Sequence, residues 1–82
     1  MNLINALNNG YRILKTNKIS SYKIDTELLL SKSLNISKED LILNLERNID
    51  LNDYKKFINN LERRKAREPI AYILNKKEFW KN

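Results

Sequence analysis

What this chain can do chemically is bounded first by what it lacks. Its 82 residues include no His and no Cys. The commonest general base, the Ser–His and Cys–His nucleophile pairs and the usual soft metal ligands are therefore absent. Gly10 is the only glycine, so no glycine-rich loop can cradle a phosphate or a cofactor. The carboxylates are scattered at predicted helix starts, where capping and dipole roles account for them. Glu39 and Asp40 are adjacent and point differently on a helix, which makes a poor catalytic dyad. The functional stretch is instead Arg63 to Trp80, Arg-Arg-Lys-Ala-Arg-Glu-Pro-Ile-Ala-Tyr-Ile-Leu-Asn-Lys-Lys-Glu-Phe-Trp. It holds the only Pro, Pro69, and the only Trp, Trp80. Residues 63–82 carry seven Lys/Arg and two acidic residues, about +5 of the formal +6. This composition suits recognition rather than bond-making. The chain reads as a binding module, with no catalytic, cofactor-binding or metal-ligating residue assigned, and the residues alone do not name its ligand.

The elements that must position this stretch come from a small body. Eighty-two residues make one domain at most. A chain this short buries roughly 60–65% of the surface its unfolded form exposes, so its stability is thin. No apolar run approaches the roughly 20 residues of a membrane span. The N-terminus lacks the charged region and long apolar core of a signal peptide. A cytoplasmic, membrane-free location is expected, and the absence of Cys fits it. The basic balance invites a nucleic-acid reading. Yet the first 62 residues carry nine basic and eight acidic groups, and the abundance of Asn, Ile and Lys has the look of an AT-rich genome.

One Gly and one Pro leave too little turn chemistry for a sheet. Helical periodicity appears instead. A first helix is predicted over about Asn2–Lys15, with Leu3, Leu7, Tyr11 and Leu14 on one stripe; Gly10 inside it is either a close helix contact or a tolerated weak point. Ser20 or Ser21 can cap a second helix running to Leu34. Its residues Ile24, Leu28, Leu29, Leu30 and Leu34 make a wide apolar face, so it should be central and most buried. Ser37 to Asp40 resembles a capping box and opens a short helix that ends near Arg47 and Asn48. Asn52 is the expected cap of a fourth helix, where Tyr54, Phe57, Ile58 and Leu61 fit the helical template. That helix should stop before Glu68, since the residue before a proline is pushed out of helical geometry. Pro69 then suits the first turn of a last helix bearing Ile70, Ile73 and Leu74, with Asn75 as its stop. The fold class expected is all-α, a bundle of about five helices, with the start of an interdomain linker or strand at the C-terminus.

Arg63 to Phe79 carries a resemblance to a known family. Arg-Arg, then Glu-Pro-Ile-Ala-Tyr-Ile, then Glu-Phe resembles the junction segment of the release-factor glutamine methyltransferases, the HemK/PrmC family. Ile24-Asp25-Thr26-Glu27-Leu28-Leu29-Leu30 is similar to that family's second-helix signature, and Leu51-Asn52-Asp53 to the start of its helix before the Arg pair. Order and spacing agree, and the resemblance covers essentially the whole chain. It implies a helical N-terminal recognition domain over 1–75 and the start, at 76–82, of a linker to a catalytic methyltransferase domain. In the parent enzyme that domain binds S-adenosylmethionine and carries an Asn-Pro-Pro-Tyr motif. The enzyme methylates the Gln of the Gly-Gly-Gln loop of peptide-chain release factors, supporting translation termination. This chain has neither that motif nor a cofactor loop, so by itself it is expected to be the recognition domain alone and not an enzyme. Two positions depart from the family: Arg67 and Asn75 stand where it usually has Gly. Asn tolerates a left-handed conformation, whereas Arg is strained there by about 1–2 kcal/mol.

The resemblance also implies roles. Arg63 and Arg64 match the family's Arg pair and either contact the release factor or the catalytic domain through bidentate carboxylate pairing, or simply complement the end of the fourth helix. Glu68 either accepts hydrogen bonds from the first turn of the last helix or meets a partner. Tyr72 lies off the apolar face, so it is either available to a partner or at the edge of the core. Phe79 and Trp80 are interdomain candidates that pack against the catalytic domain or fold back on the bundle. The expected partners are a release factor and the catalytic domain, with nucleic acid disfavoured outside the ribosomal context. The alternative reading is a stand-alone basic helical module binding RNA or DNA. It should cluster cations on one helix face, and the fourth helix instead mixes Asp53 and Glu62 with Lys55 and Lys56.

Overall fold

The computed structural model describes residues 1–74. The stop expected at Asn75, the linker expected over 76–82 and the aromatic pair Phe79 and Trp80 lie outside the described residues. The architecture is all-α. Among the described residues five helices follow one another: α1 (Leu3–Thr16), α2 (Tyr22–Leu34), α3 (Lys38–Leu43), α4 (Leu51–Lys65) and α5 (Ile70–Ile73). No helix is long and apolar enough to cross a membrane among the described residues.

α2 lies at the centre, packed against α1, α3 and α4. The core is built where its stripe meets theirs: Leu3, Leu7 and Leu14 from α1, Leu29 and Leu30 from α2, Leu41 from α3, Phe57 and Leu61 from α4, and Ile73 from α5. The face of α2 differs from the one read in the sequence. Ile24 is 56% exposed, whereas Asp25, Thr26, Ser31 and Ser33 are buried. Two neighbours account for the difference. Gly10 of α1 faces Thr26, and a Cβ built on Gly10 would stand 2.5 Å from Thr26 Cγ2 and 3.0 Å from Phe57 Cζ, so this crossing leaves room only for a short side chain at Thr26. Asp25 and Ser33 face α4 instead, where Arg64 Nε donates to Asp25 Oδ2 at 2.8 Å and Asn60 Nδ2 donates to Ser33 Oγ at 3.4 Å. Ser33 satisfies its hydroxyl by donating to the Leu29 carbonyl at 2.8 Å, the usual back-bond of a mid-helix serine.

Two of the five described helix starts carry a side-chain cap. The Asn2 side chain accepts from the Asn5 amide at 3.1 Å. Ser37 Oγ accepts from the Asp40 amide at 3.0 Å, as the capping-box pattern predicts. Two expected caps are corrected. Asp50, not Asn52, precedes α4, and its side chain makes no capping bond. Ser21 precedes α2, but its hydroxyl donates to the Asp25 carboxylate at 2.8 Å instead of accepting from the backbone. α3 is also shorter than expected, because Asn44 ends it and turns follow to Arg47.

Three helices end in the same way without a glycine. The positive-φ residues are Lys18 at 63°, Asn35 at 58° and Arg67 at 75°. At each, the following amide reaches back to an early carbonyl of the last turn: Ile19 N to Leu14 O at 3.0 Å, Ile36 N to Ser31 O at 3.1 Å, and Glu68 N to Arg63 O at 3.1 Å. This is the Schellman pattern, which satisfies carbonyls that would otherwise be orphaned. Arg67, one of the two departures from the family's glycines, therefore occupies a left-handed site that strains a non-glycine residue.

The start of α1 is tied to the α3–α4 connection. Leu3 N donates to Arg47 O and Ile4 N to Leu45 O, both at 2.9 Å, and Ile49 N donates to Met1 O at 2.9 Å. Asn2 and Asn48 form an isolated antiparallel bridge.

Candidate functional site

The Schellman turn between α4 and α5 gathers the sequence-predicted residues on one side of the bundle. Arg63, in the last turn of α4, forks onto Glu68: Nε donates to Oε1 at 2.9 Å, and Nη2 donates to Oε2. The pair is partly exposed, 38% for Arg63 and 31% for Glu68. The hydrogen bond from Arg63 holds the Glu68 carboxyl below its usual range, with desolvation opposing it and charge attraction assisting. The same bond raises the affinity of the Arg63 guanidinium for its proton. Neither partner is suited to proton transfer near neutral pH.

Arg64, one residue on, points elsewhere. Its Nε donates to Asp25 Oδ2 at 2.8 Å, and its Nη1 donates to the Glu68 carbonyl at 3.1 Å. This pair is much drier, 18% exposed on Arg64 and 5% on Asp25. Ser21 Oγ donates to the same Asp25 oxygen. One guanidinium thus joins the start of α2, the end of α4 and the chain entering α5. Arg67 adds a third tie, its Nη2 donating to the Asn17 carbonyl at 2.9 Å just past α1. Tyr72 is 64% exposed, off the face that Ile70, Ile73 and Leu74 turn to the core.

The structure therefore brings Arg63, Arg64 and Glu68 into one network and leaves Tyr72 beside it, free to solvent. Sequence reasoning missed the fourth member, Asp25, which was read as a dipole-complementing residue of the second helix. The signal was present in divided form, since Asp25 and Arg64 each fall in a motif that carried the family resemblance. Nothing local links residues 39 positions apart. The arrangement can position a helix and present a turn. No group of three or more potential metal ligands occurs among the described residues.

Comparison with known proteins follows the same geometry. The family model described as the PrmC N-terminal domain matches residues 5–74, the whole α1–α5 body. A release factor glutamine methyltransferase of Buchnera aphidicola is 38% identical over 68 residues, covering 83% of this chain and 25% of that protein. One from Clostridium botulinum is 37% identical over 79 residues, covering 96% of this chain and 28% of its own length. A bifunctional methyltransferase of Rickettsia felis is 40% identical over 68 residues, covering 80% of this chain and 13% of its own. The chain thus spans about a quarter of the length of the release factor methyltransferases it matches. No solved structure matches. The chain belongs to the PrmC N-terminal domain family.

Proposed function

We propose that this PrmC N-terminal domain is the substrate-recognition part of an S-adenosylmethionine-dependent methyltransferase, one that modifies the Gln of the Gly-Gly-Gln loop of peptide-chain release factors. The observation that carries the reading is the family match over 5–74, joined to relatives named release factor glutamine methyltransferase of which this chain covers only a quarter. The chemistry then belongs to the remaining three quarters, and S-adenosylmethionine to that catalytic part. The domain's share is to hold a protein substrate in register with it. A release factor is a cytoplasmic protein, so the same compartment is proposed here.

The physical features agree with a docking role. The two ion pairs fix the α4–α5 turn from both sides, so its surface is pre-organised, and pre-organisation lowers the ordering cost of binding. Tyr72 beside it offers a rigid, amphipathic contact of the kind that anchors interfaces. Within this reading, Arg63, Arg64 and Glu68 shape the surface, and Phe79 and Trp80 pack against the catalytic domain.

An amide-resolved NMR titration with a purified release factor, at low and moderate salt, tests the reading beside a parallel titration with tRNA. Saturable shifts localised to residues 63–72 with the release factor, and diffuse salt-sensitive shifts with tRNA, are the expected result. A localised, saturable response to tRNA with none to the release factor would sink substrate recognition and favour a nucleic-acid module.

A further inference from the structure

A groove of about 460 Å³ lies where the C-terminal half of α2, the outer face of α4 and α5 meet. Three cations line it, Lys32, Lys56 and Arg63, together with three side-chain amides, Asn35, Asn59 and Asn60. Ser33 and Ile73 complete the lining, which among the described residues contains no carboxylate and no aromatic ring. The floor is firm: Ile73 is 1% exposed, and Asn60 Nδ2 donates to Ser33 Oγ at 3.4 Å, joining α4 to α2.

The cations retain capacity for an incoming anion. Lys32 makes no ion pair among the described residues, and Lys56 reaches only Asp53 at 3.8 Å in an exposed contact. Such a surface pair is weak and exchangeable. Arg63 uses two of its five N–H donors on Glu68 and keeps the rest. The C-terminal carbonyls of α2 would repel an anion, but Asn35 N and Ile36 N already occupy those of Lys32 and Ser31, each at 3.1 Å.

We propose that this groove docks an extended acidic peptide segment of a protein partner, its Asp and Glu side chains on Lys32, Lys56 and Arg63 and its backbone on the three Asn amides. The lining selects peptide over nucleic acid. A side-chain amide offers both a donor and an acceptor, which matches the alternating N–H and C=O of an extended backbone. A DNA backbone presents acceptors only and would leave the amide oxygens unmatched, and an RNA backbone offers a single donor per nucleotide, its 2′-OH. Single strands also need stacking platforms, and none lines the groove among the described residues. The formal +6 charge would steer an acidic segment toward it. The assignment of that segment to a release factor rests on the function proposed above; the peptide chemistry does not.

Isothermal titration of the 82-residue chain with a purified release factor, then with a decaglutamate peptide, then with tRNA, tests it. The variants are Lys32→Glu/Lys56→Glu and, as a control of equal charge change on other faces, Lys15→Glu/Lys23→Glu. Circular dichroism confirms that both remain helical. Binding to the release factor that weakens about tenfold or more in the groove variant, and stays within about twofold in the control, is the expected result. Equal weakening in both variants, or none in either, overturns the groove while leaving release-factor recognition standing. If the release factor does not bind at all, the function proposed above fails. In that case an NMR titration with decaglutamate decides: shifts at the Asn59 and Asn60 side-chain amides keep the groove as a peptide site, and their absence overturns it too. Tight tRNA binding lost only in the groove variant overturns the peptide assignment.

Discussion

Replacing Gly10 with Ala sets two effects of similar size against each other. In an exposed helix the change would stabilise by about 1 kcal/mol, because glycine is the poorer helix former. Here the new Cβ would lie 2.5 Å from Thr26 Cγ2, 3.0 Å from Phe57 Cζ and 3.4 Å from Thr26 Oγ1. Thr26 and Phe57 are both fully buried. Thr26 is β-branched, helical and fully buried, so its χ1 is restricted and the methyl has little room to swing away. The helices must move apart instead, and overpacking of this kind costs about 1–3 kcal/mol. A contact this short belongs at the upper end, so the net loss is about 1–2 kcal/mol, a drop of roughly 4–16 °C in Tm for a domain this size. Thr26→Ser deletes the offending methyl. In that background the same Gly10→Ala change should become neutral or stabilise by up to about 1 kcal/mol. Urea unfolding of the four proteins yields the coupling energy directly, expected at about 2 kcal/mol. A Gly10→Ala protein more stable than the parent, or a loss of equal size in both backgrounds, would refute the close α1–α2 crossing as the reason for the glycine.

Arg64→Ala strips the partner from a 5% exposed Asp25 carboxylate and should cost about 3 kcal/mol, whereas Asp25→Leu with Arg64→Met should recover most of it; chemical denaturation measures both, and a loss under about 1 kcal/mol for Arg64→Ala would contradict a structural role. Arg67→Gly relieves about 1–2 kcal/mol of left-handed strain but gives back part of it through a more flexible unfolded chain and the lost bond to the Asn17 carbonyl. A net rise of about 2–4 °C in Tm is expected, and a fall would show that the bond outweighs the strain. Tyr11 donates to Glu27 at 2.8 Å, and burial, reinforced by that bond, pushes its pKa up to about 12. The folded state then holds this proton more tightly than the unfolded one, so the contribution is full below about pH 10 and is lost as pH rises toward about 12. Tyr11→Phe should flatten that part of the stability profile; identical alkaline profiles would exclude the linkage.

The elements were legible because helical periodicity is a local signal. α4, with Tyr54, Phe57, Ile58 and Leu61 at helical spacing, emerges as expected, and the Ser37 cap follows from four consecutive residues. What was not legible is long-range. Whether Gly10 is a defect or a contact depends on which helix lies opposite, and Thr26 sits 16 positions away. The burial of Asp25 and Ser33 departs from the face that hydrophobicity alone assigns to α2, because both find polar partners on α4, Arg64 and Asn60, that no local signal pairs with them. At the α4–α5 turn the sequence marked Arg63, Arg64 and Glu68 but could not assign partners. The fork of Arg63 on Glu68 is nearly local, whereas that of Arg64 on Asp25 needs the bundle to exist. Arg67 shows the converse: the resemblance marked the position as one where the family usually has Gly, and the backbone there is left-handed at φ 75°.

The tie between the start of α1 and residues 45–49 bears on how the molecule opens and closes. The leading turn of a helix is normally where fraying begins, since its amides have no partners within the helix. Here the Leu3 and Ile4 amides are held by the carbonyls of Arg47 and Leu45, about half the chain away. That turn cannot loosen by itself. It opens only when the strap between α3 and α4 lifts, so two segments distant in sequence behave as one cooperative unit. Exchange of those amides with solvent deuterium then reports the opening of the strap rather than the breathing of a helix end. In folding, the same pairing closes the longest loop among these backbone bonds, and contacts of such high sequence separation form late. The strap is thus a latch set after the helices have met.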